Sequence, residues 1–178
     1  MEVIMNTKLL LRTSLAVALI ALGAQIKLPS PIAGYFTLQL PAVIIISCVL
    51  GKKYGPLSVG IYILGGLLGI PWFAGGGGLA YVLKPTFGFL LGFIALSYLT
   101  GMGQEKKHTW LYALLGTFLV WLIGMLYLTS INVYYLGVDM SYMSGIMAIF
   151  SLDLVFDFVL TLTAVTIGKR VESALELI

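Results

Sequence analysis

Two carboxylates in an otherwise apolar run are the first candidates for chemistry. Asp153 and Asp157 lie four residues apart near the start of the last hydrophobic segment, so a helix carries both on one face, about one and two turns from its end. A charge held that deep in a bilayer costs on the order of 3 kcal/mol on insertion scales and is by default functional or paired. An intramembrane aspartic dyad normally brings its carboxyls together from two helices, and this spacing on one helix does not supply that. His108 is the one histidine and stands beside Lys106 and Lys107 in a charged connection, away from any intramembrane carboxylate. Neither HExxH nor GxSxG occurs. Gly51-Lys52 is not a phosphate loop, because Ile46 occupies the position of the first glycine and Lys53 that of the Ser or Thr. The run Gly75–Gly78 has no Lys-Ser/Thr after it. Cys48 is single, which excludes an intramolecular disulfide and a cysteine metal cluster. The residues therefore predict no enzyme, no metal and no cofactor of its own.

The elements that must position these groups are membrane spans. Of 178 residues, 60% are hydrophobic and 10% charged, against roughly 25% charged in a soluble domain. Mean hydropathy is +1.07. No polar run is long enough for a soluble domain, so residues 1–178 read as one all-α integral membrane domain. Six transmembrane helices are expected near Leu9–Gln25, Leu38–Leu50, Leu57–Ile70, Thr86–Leu99, Trp110–Ser130 and Phe150–Gly168. The first reads as an uncleaved span. Lys8, Arg12, Lys52, Lys53, Lys106, Lys107, Lys169 and Arg170 fall on one side, and only Lys27 and Lys84 on the other. That bias predicts cytoplasmic N and C termini. It also accounts for the net charge of +3 without nucleic acid.

Residues 69–93 cannot be one continuous helix. Pro71 and Pro85 lack amide donors, and four successive glycines make helix costly. Trp72, Phe73 and Tyr81 are nevertheless too apolar to lie in water. Irregular backbone at membrane depth must be buried in protein or line a cavity. Spans two to four, at about 14 residues or 21 Å each, are short for a hydrocarbon core of about 30 Å. The missing length falls to the outer connections Ile26–Thr37 and Pro71–Pro85, so outer loops 1-2 and 3-4 are expected to pack inward and cap a ligand pocket. GKKYGP (51–56) reads as a tight basic turn on the other side. Polar intramembrane groups cluster in the outer half, which suits a binding site rather than a pore. The region 132–149 is polar at Asn132, Tyr134, Tyr135 and Asp139, then amphipathic through Met140–Ile149, predicting a short surface helix. Ser14, Ala18 and Ala21 share one face of span one and would let another helix approach, either within the bundle or from a partner.

Four stretches carry a family resemblance: AQIKLPSP (24–31), FTLQLPAV (36–43), LGKKYGPLSVGIYILGGLLGIPWFAGG (50–76) and LKPTFGFLLGF (83–93). Together with the glycines at 116 and 124 and an Asp-led last helix, they resemble the BioY family, the biotin-binding S components of energy-coupling factor (ECF) transporters. The resemblance implies a multi-pass protein of the bacterial or archaeal cytoplasmic membrane. It implies biotin bound from outside beneath the two outer loops, and a membrane T component with two ATPase subunits as partners, ATP acting only through them. Ser14, Ala18 and Ala21 are the nearest match to the face on which the T component docks.

This chain departs from the family pattern in two places. Members begin the last helix with a GDLLK-like stretch. Here SLDLVFD (151–157) keeps Asp153 but has Phe156 at the lysine position, and KPTFG (84–88) puts Lys84 and Phe87 where GPTGG has glycines. The expected ligand set is Gln39 for a ureido group, Trp72, Phe73 and Tyr81 as apolar walls, and Gly75, Gly76 and Gly77 as close-approaching amides. Asp153 is the first choice for its direct polar contact; Asp157, a turn deeper, is the second choice and could instead be a protonated structural group. Lys84 is expected to pair with the ligand carboxylate or with Asp153. The same frame specific for another carboxylate vitamin such as lipoate, or a membrane scaffold without transport, are the competing readings.

Overall fold

The apolar runs fold as helices, and their one-sided burial shows where each faces. A computed structural model describes residues 7–30, 34–138 and 152–176. Helix α1 (Thr7–Gln25) buries Thr13, Ala16, Val17, Ile20, Gly23 and Ala24, the three-and-four spacing of a single helical face. Leu11, Leu15 and Leu22 stay exposed on the opposite side, as lipid contacts would. Ser14 and Ala18 are on that exposed side, and Ala21 is a half-buried edge residue against the core.

The connection after α1, expected as an inward-packed loop, is a β-hairpin. Strands β1 (Lys27–Ser30) and β2 (Gly34–Thr37) pair antiparallel, with Lys27 opposite Thr37 and Leu28 opposite Phe36. A hairpin satisfies backbone donors and acceptors within the segment, which an apolar setting demands.

Helix α2 (Gln39–Leu67) is broken by a kink. Pro41 falls in its first turn, where a missing N–H costs nothing. At Gly51 the backbone leaves helical values (φ 68°, ψ −175°), a left-handed φ that favours glycine. The two limbs then run back along each other. Gln39 Nε2 donates to the Tyr62 hydroxyl at 2.7 Å, although 23 residues of straight helix would separate them by about 35 Å. The expected turn at 51–56 is thus confined to Gly51. The second limb starts at 52 rather than 57 and takes Pro56 into its early turns. It ends at Leu67, short of Ile70.

Helices α3 (Phe87–Glu105) and α4 (Thr109–Ser130) follow, the latter closing in a π-helical turn (Ile131–Tyr135). Helix α5 is Leu152–Glu176. Helix α3 is longer than the expected span 86–99. Its polar end stays helical because Gly101 packs directly on the Gly51–Lys52 backbone, where a Cβ would collide, and Glu105 pairs with Lys52 at 2.6 Å. Helix α5 likewise runs past the expected Gly168. The surface helix predicted over 140–149, with Asp139, lies outside the described residues.

Four helices among the described residues are long and apolar enough to cross a membrane: Thr7–Gln25, Gln39–Leu67, Phe87–Glu105 and Thr109–Tyr135. Helix α3 packs against α2 and α4, while α5 lies on α2 and α4 and α1 on α2. The core between them includes Ile20, Val43, Ile44, Val59, Tyr62, Leu96 and Val165.

Candidate functional site

At the end of the bundle opposite Gly51, two connections meet: the β1–β2 hairpin and the 68–86 segment. The second is built as a lid. Trp72 and Phe73 lie on the second limb of α2, where Gly65 and Gly66 leave the room their rings fill. Phe73 is 1% exposed, edge-on to Tyr62 at 5.3 Å and 4.6 Å from the Tyr81 ring. Phe73 and Gly76 exchange backbone hydrogen bonds. Gly78, with φ 100°, donates its N–H to the Gly66 carbonyl at 2.7 Å. A 3₁₀ turn (Leu79–Leu83) follows and presents Tyr81 inward. Tyr127 on α4 donates its hydroxyl to the Val82 carbonyl at 2.5 Å.

A polar relay ties this lid to both helices beside it. Thr37 Oγ1 donates to Gln39 Oε1 at 2.9 Å, and Gln39 Nε2 donates to the Tyr62 hydroxyl. The Tyr62 hydroxyl donates to the Trp72 carbonyl at 3.3 Å, and Trp72 Nε1 donates to the Tyr62 carbonyl at 2.8 Å. Gln25, the last residue of α1, donates to the Trp72 carbonyl at 3.0 Å.

Beneath the lid lies a cavity of about 100 Å³. The hairpin and the start of α2 contribute Phe36, Thr37, Gln39 and Leu40, and the lid connection Ala74, Tyr81 and Thr86. Its far wall is Phe89, Leu90 and Phe93 of α3, Val120 and Trp121 of α4, and Asp157 of α5. A mostly apolar wall with a few placed polar groups is the usual make-up of a small-molecule site. Asp157 is held in position: Trp121 Nε1 donates to its Oδ2 at 2.8 Å. Thr161 returns a bond to the Asp157 carbonyl at 2.7 Å and pairs with Thr117 on α4.

Of the residues singled out in the sequence, the structure brings Gln39, Tyr81 and Asp157 to the cavity wall. Asp153 is also buried, one turn earlier on α5, but is not among the lining residues. Trp72 and Phe73 form the lid's anchorage. Gly75, Gly76 and Gly77 lie in its backbone, with Gly75 accepting from Lys84 Nζ at 2.8 Å. The same ammonium sits 4.6 Å from the Tyr81 ring centroid, so Lys84 spans the lid at the exposed rim. Phe36, Phe89, Phe93, Val120 and Trp121 were not singled out from sequence. They are apolar residues in apolar runs, and nothing in those runs marks the rotational phase that aims them inward.

Comparison with known proteins gives one consistent result. The family model described as BioY family matches residues 1–177. A probable biotin transporter BioY of Pyrococcus horikoshii is 36% identical over 172 residues, covering 94% of this chain and 98% of its own. One from Lysinibacillus sphaericus is 34% identical over 172 residues, covering 93% and 87%. A biotin transporter BioY of Thermotoga maritima is 41% identical over 107 residues, covering 59% and 62%. Among solved structures, the S-component for biotin from an ECF-type ABC transporter superposes with a TM-score of 0.71 at 22% identity, covering 97% of this chain and 95% of that one. It is alike in fold.

Proposed function

The chain belongs to the BioY family, and from that premise we propose that it is the substrate-binding S component of an ECF-type biotin uptake transporter. It is a membrane protein and not an enzyme. The observation that carries the proposal is the cavity roofed by both Pro- and Gly-containing connections, in a chain whose relatives over nearly its full length are named biotin transporters. Biotin needs an apolar wall for its ring and carbon chain and a few polar partners for its urea. Phe36, Phe89, Leu90 and Phe93 supply the first; Gln39, Tyr81 and Asp157 supply the second.

In this reading the two limbs of α2 cross the membrane separately and α5 crosses as well, making six spans. The eight Lys and Arg residues of the Gly51 end and the termini then face the cytoplasm, and the lid faces outward. The protein sits in a bacterial or archaeal cytoplasmic membrane. A T component docks on the exposed side of α1 at Ser14 and Ala18, with Ala21 at its edge, and two ATPase subunits drive release. Lys84 at the rim leaves Gly75 to meet the ligand carboxylate.

Equilibrium binding of biotin to the purified protein in detergent, with lipoate as competitor, tests the reading. Tight biotin binding that lipoate does not displace is expected. Tight lipoate binding without biotin binding would re-assign the cavity to another carboxylate vitamin, and binding of neither would overturn the proposal.

A further inference from the structure

The cavity is electrically lopsided. Asp157 and Trp121 are both buried, and the indole N–H fixes one carboxyl oxygen of Asp157 against α4. An ionised carboxylate offers about four acceptor sites, of which the indole uses one. Phe89, Leu90 and Val120 line the same cavity, and no Lys, Arg or His is among its described lining residues. A second anion placed at this end would find repulsion and no counter-charge. A neutral N–H would find an acceptor already oriented. Lys84 lies outside this lining and is exposed, its ammonium 4.6 Å from the ring centroid of Tyr81, which itself lines the cavity.

Resting on the biotin reading above, we infer that Asp157 is the acceptor for a ring N–H of the bound urea, with Trp121 as its positioning residue. The ligand then lies ring-inward, its carboxylate left at the Lys84 rim. A molecule with neutral N–H donors at one end and an anion at the other fits this polarity in one direction only.

The test is equilibrium binding of three probes to the full-length protein in detergent: biotin, biotin methylated on its ring nitrogen, and biotin methyl ester. Wild type, Asp157→Asn and Trp121→Phe are compared. In wild type, ring N-methylation is expected to weaken binding about tenfold or more, the loss of one charge-assisted hydrogen bond. Asp157→Asn is expected to weaken biotin by a similar factor and to shrink the N-methyl penalty to about threefold or less. Trp121→Phe, which keeps the carboxyl but frees it, is expected to reduce the N-methyl penalty part-way. The methyl-ester penalty should be unchanged in both variants, because the tail lies elsewhere. An N-methyl penalty equal in wild type and Asp157→Asn overturns the inference, as does an ester penalty that moves with Asp157. Should Asp157→Asn not fold, an unchanged N-methyl penalty in Trp121→Phe overturns it. Failure of wild type to bind biotin at all defeats the function and this pose together, whereas biotin binding with unchanged penalties defeats the pose alone.

Discussion

Gly66→Ala is expected to unseat the lid. A Cβ at this position would lie within 2.5 Å of three ring carbons of Phe73. Apolar carbons sit comfortably at about 3.5–4.0 Å, so the ring must retreat by about 1 Å or more. It has nowhere to go: Tyr62 stands edge-on at 5.3 Å and Tyr81 at 4.6 Å, and Phe73 is 1% exposed. Forced overpacking of this kind costs about 1–3 kcal/mol. Phe73→Ala, the opposite error, costs about 3–5 kcal/mol by leaving a cavity. The two act on one volume, so the double variant should be less destabilised than the sum, by about 1 kcal/mol or more. Unfolding of the detergent-solubilised variants, each with and without biotin, measures both terms. Ligand protection should fall most in Gly66→Ala, because Phe73 couples α2 to Tyr81 on the cavity wall. A Gly66→Ala protein as stable as wild type, or strictly additive losses in the double variant, would refute this account of how the lid is seated.

Three further outcomes follow from the same geometry. Tyr62→Phe removes the hydroxyl that Gln39 donates to and that donates to Trp72; it should destabilise the protein by about 1–3 kcal/mol and speed biotin dissociation, measured by ligand chase. Lys84→Ala should weaken biotin several-fold but leave biotin methyl ester unaffected, and equal losses for both ligands would assign Lys84 to lid structure alone. Ser14→Leu with Ala18→Leu should leave biotin binding intact and abolish uptake in cells carrying the coupling subunits; uptake at the wild-type rate would remove α1 as the docking face.

What the sequence made legible was the punctuation. Pro71, Pro85 and the glycine run marked the lid as non-helical, and the lid forms a bridge and a 3₁₀ turn there. The spacing of Asp153 and Asp157 announced one buried face of α5, and both are buried. The hairpin at 27–37 was hidden because its prolines read as irregular loop, while the need to pair backbone in an apolar setting dominated. The length of α3 was hidden because Gly101 and Gly103 look like breakers until α2 and α4 are packed against them. The inward phase of Phe89, Phe93 and Trp121 was hidden because these helices are apolar all round, so hydropathy cannot separate a lipid face from a ligand face. Lys84 was legible as an unusual cation, but its hold on Gly75 depends on a lid fold no local pattern encodes.

The central claim is that biotin occupies the cavity beneath the lid. Leu90 lines that cavity from α3 and is 5% exposed, so Leu90→Trp would fill it from a rigid element. Equilibrium biotin binding to wild type and Leu90→Trp, both confirmed as folded and monodisperse, is the most direct measurement. Tight binding by wild type and none by Leu90→Trp is expected. Binding of biotin to Leu90→Trp with unaltered affinity would place the vitamin elsewhere and contradict the account.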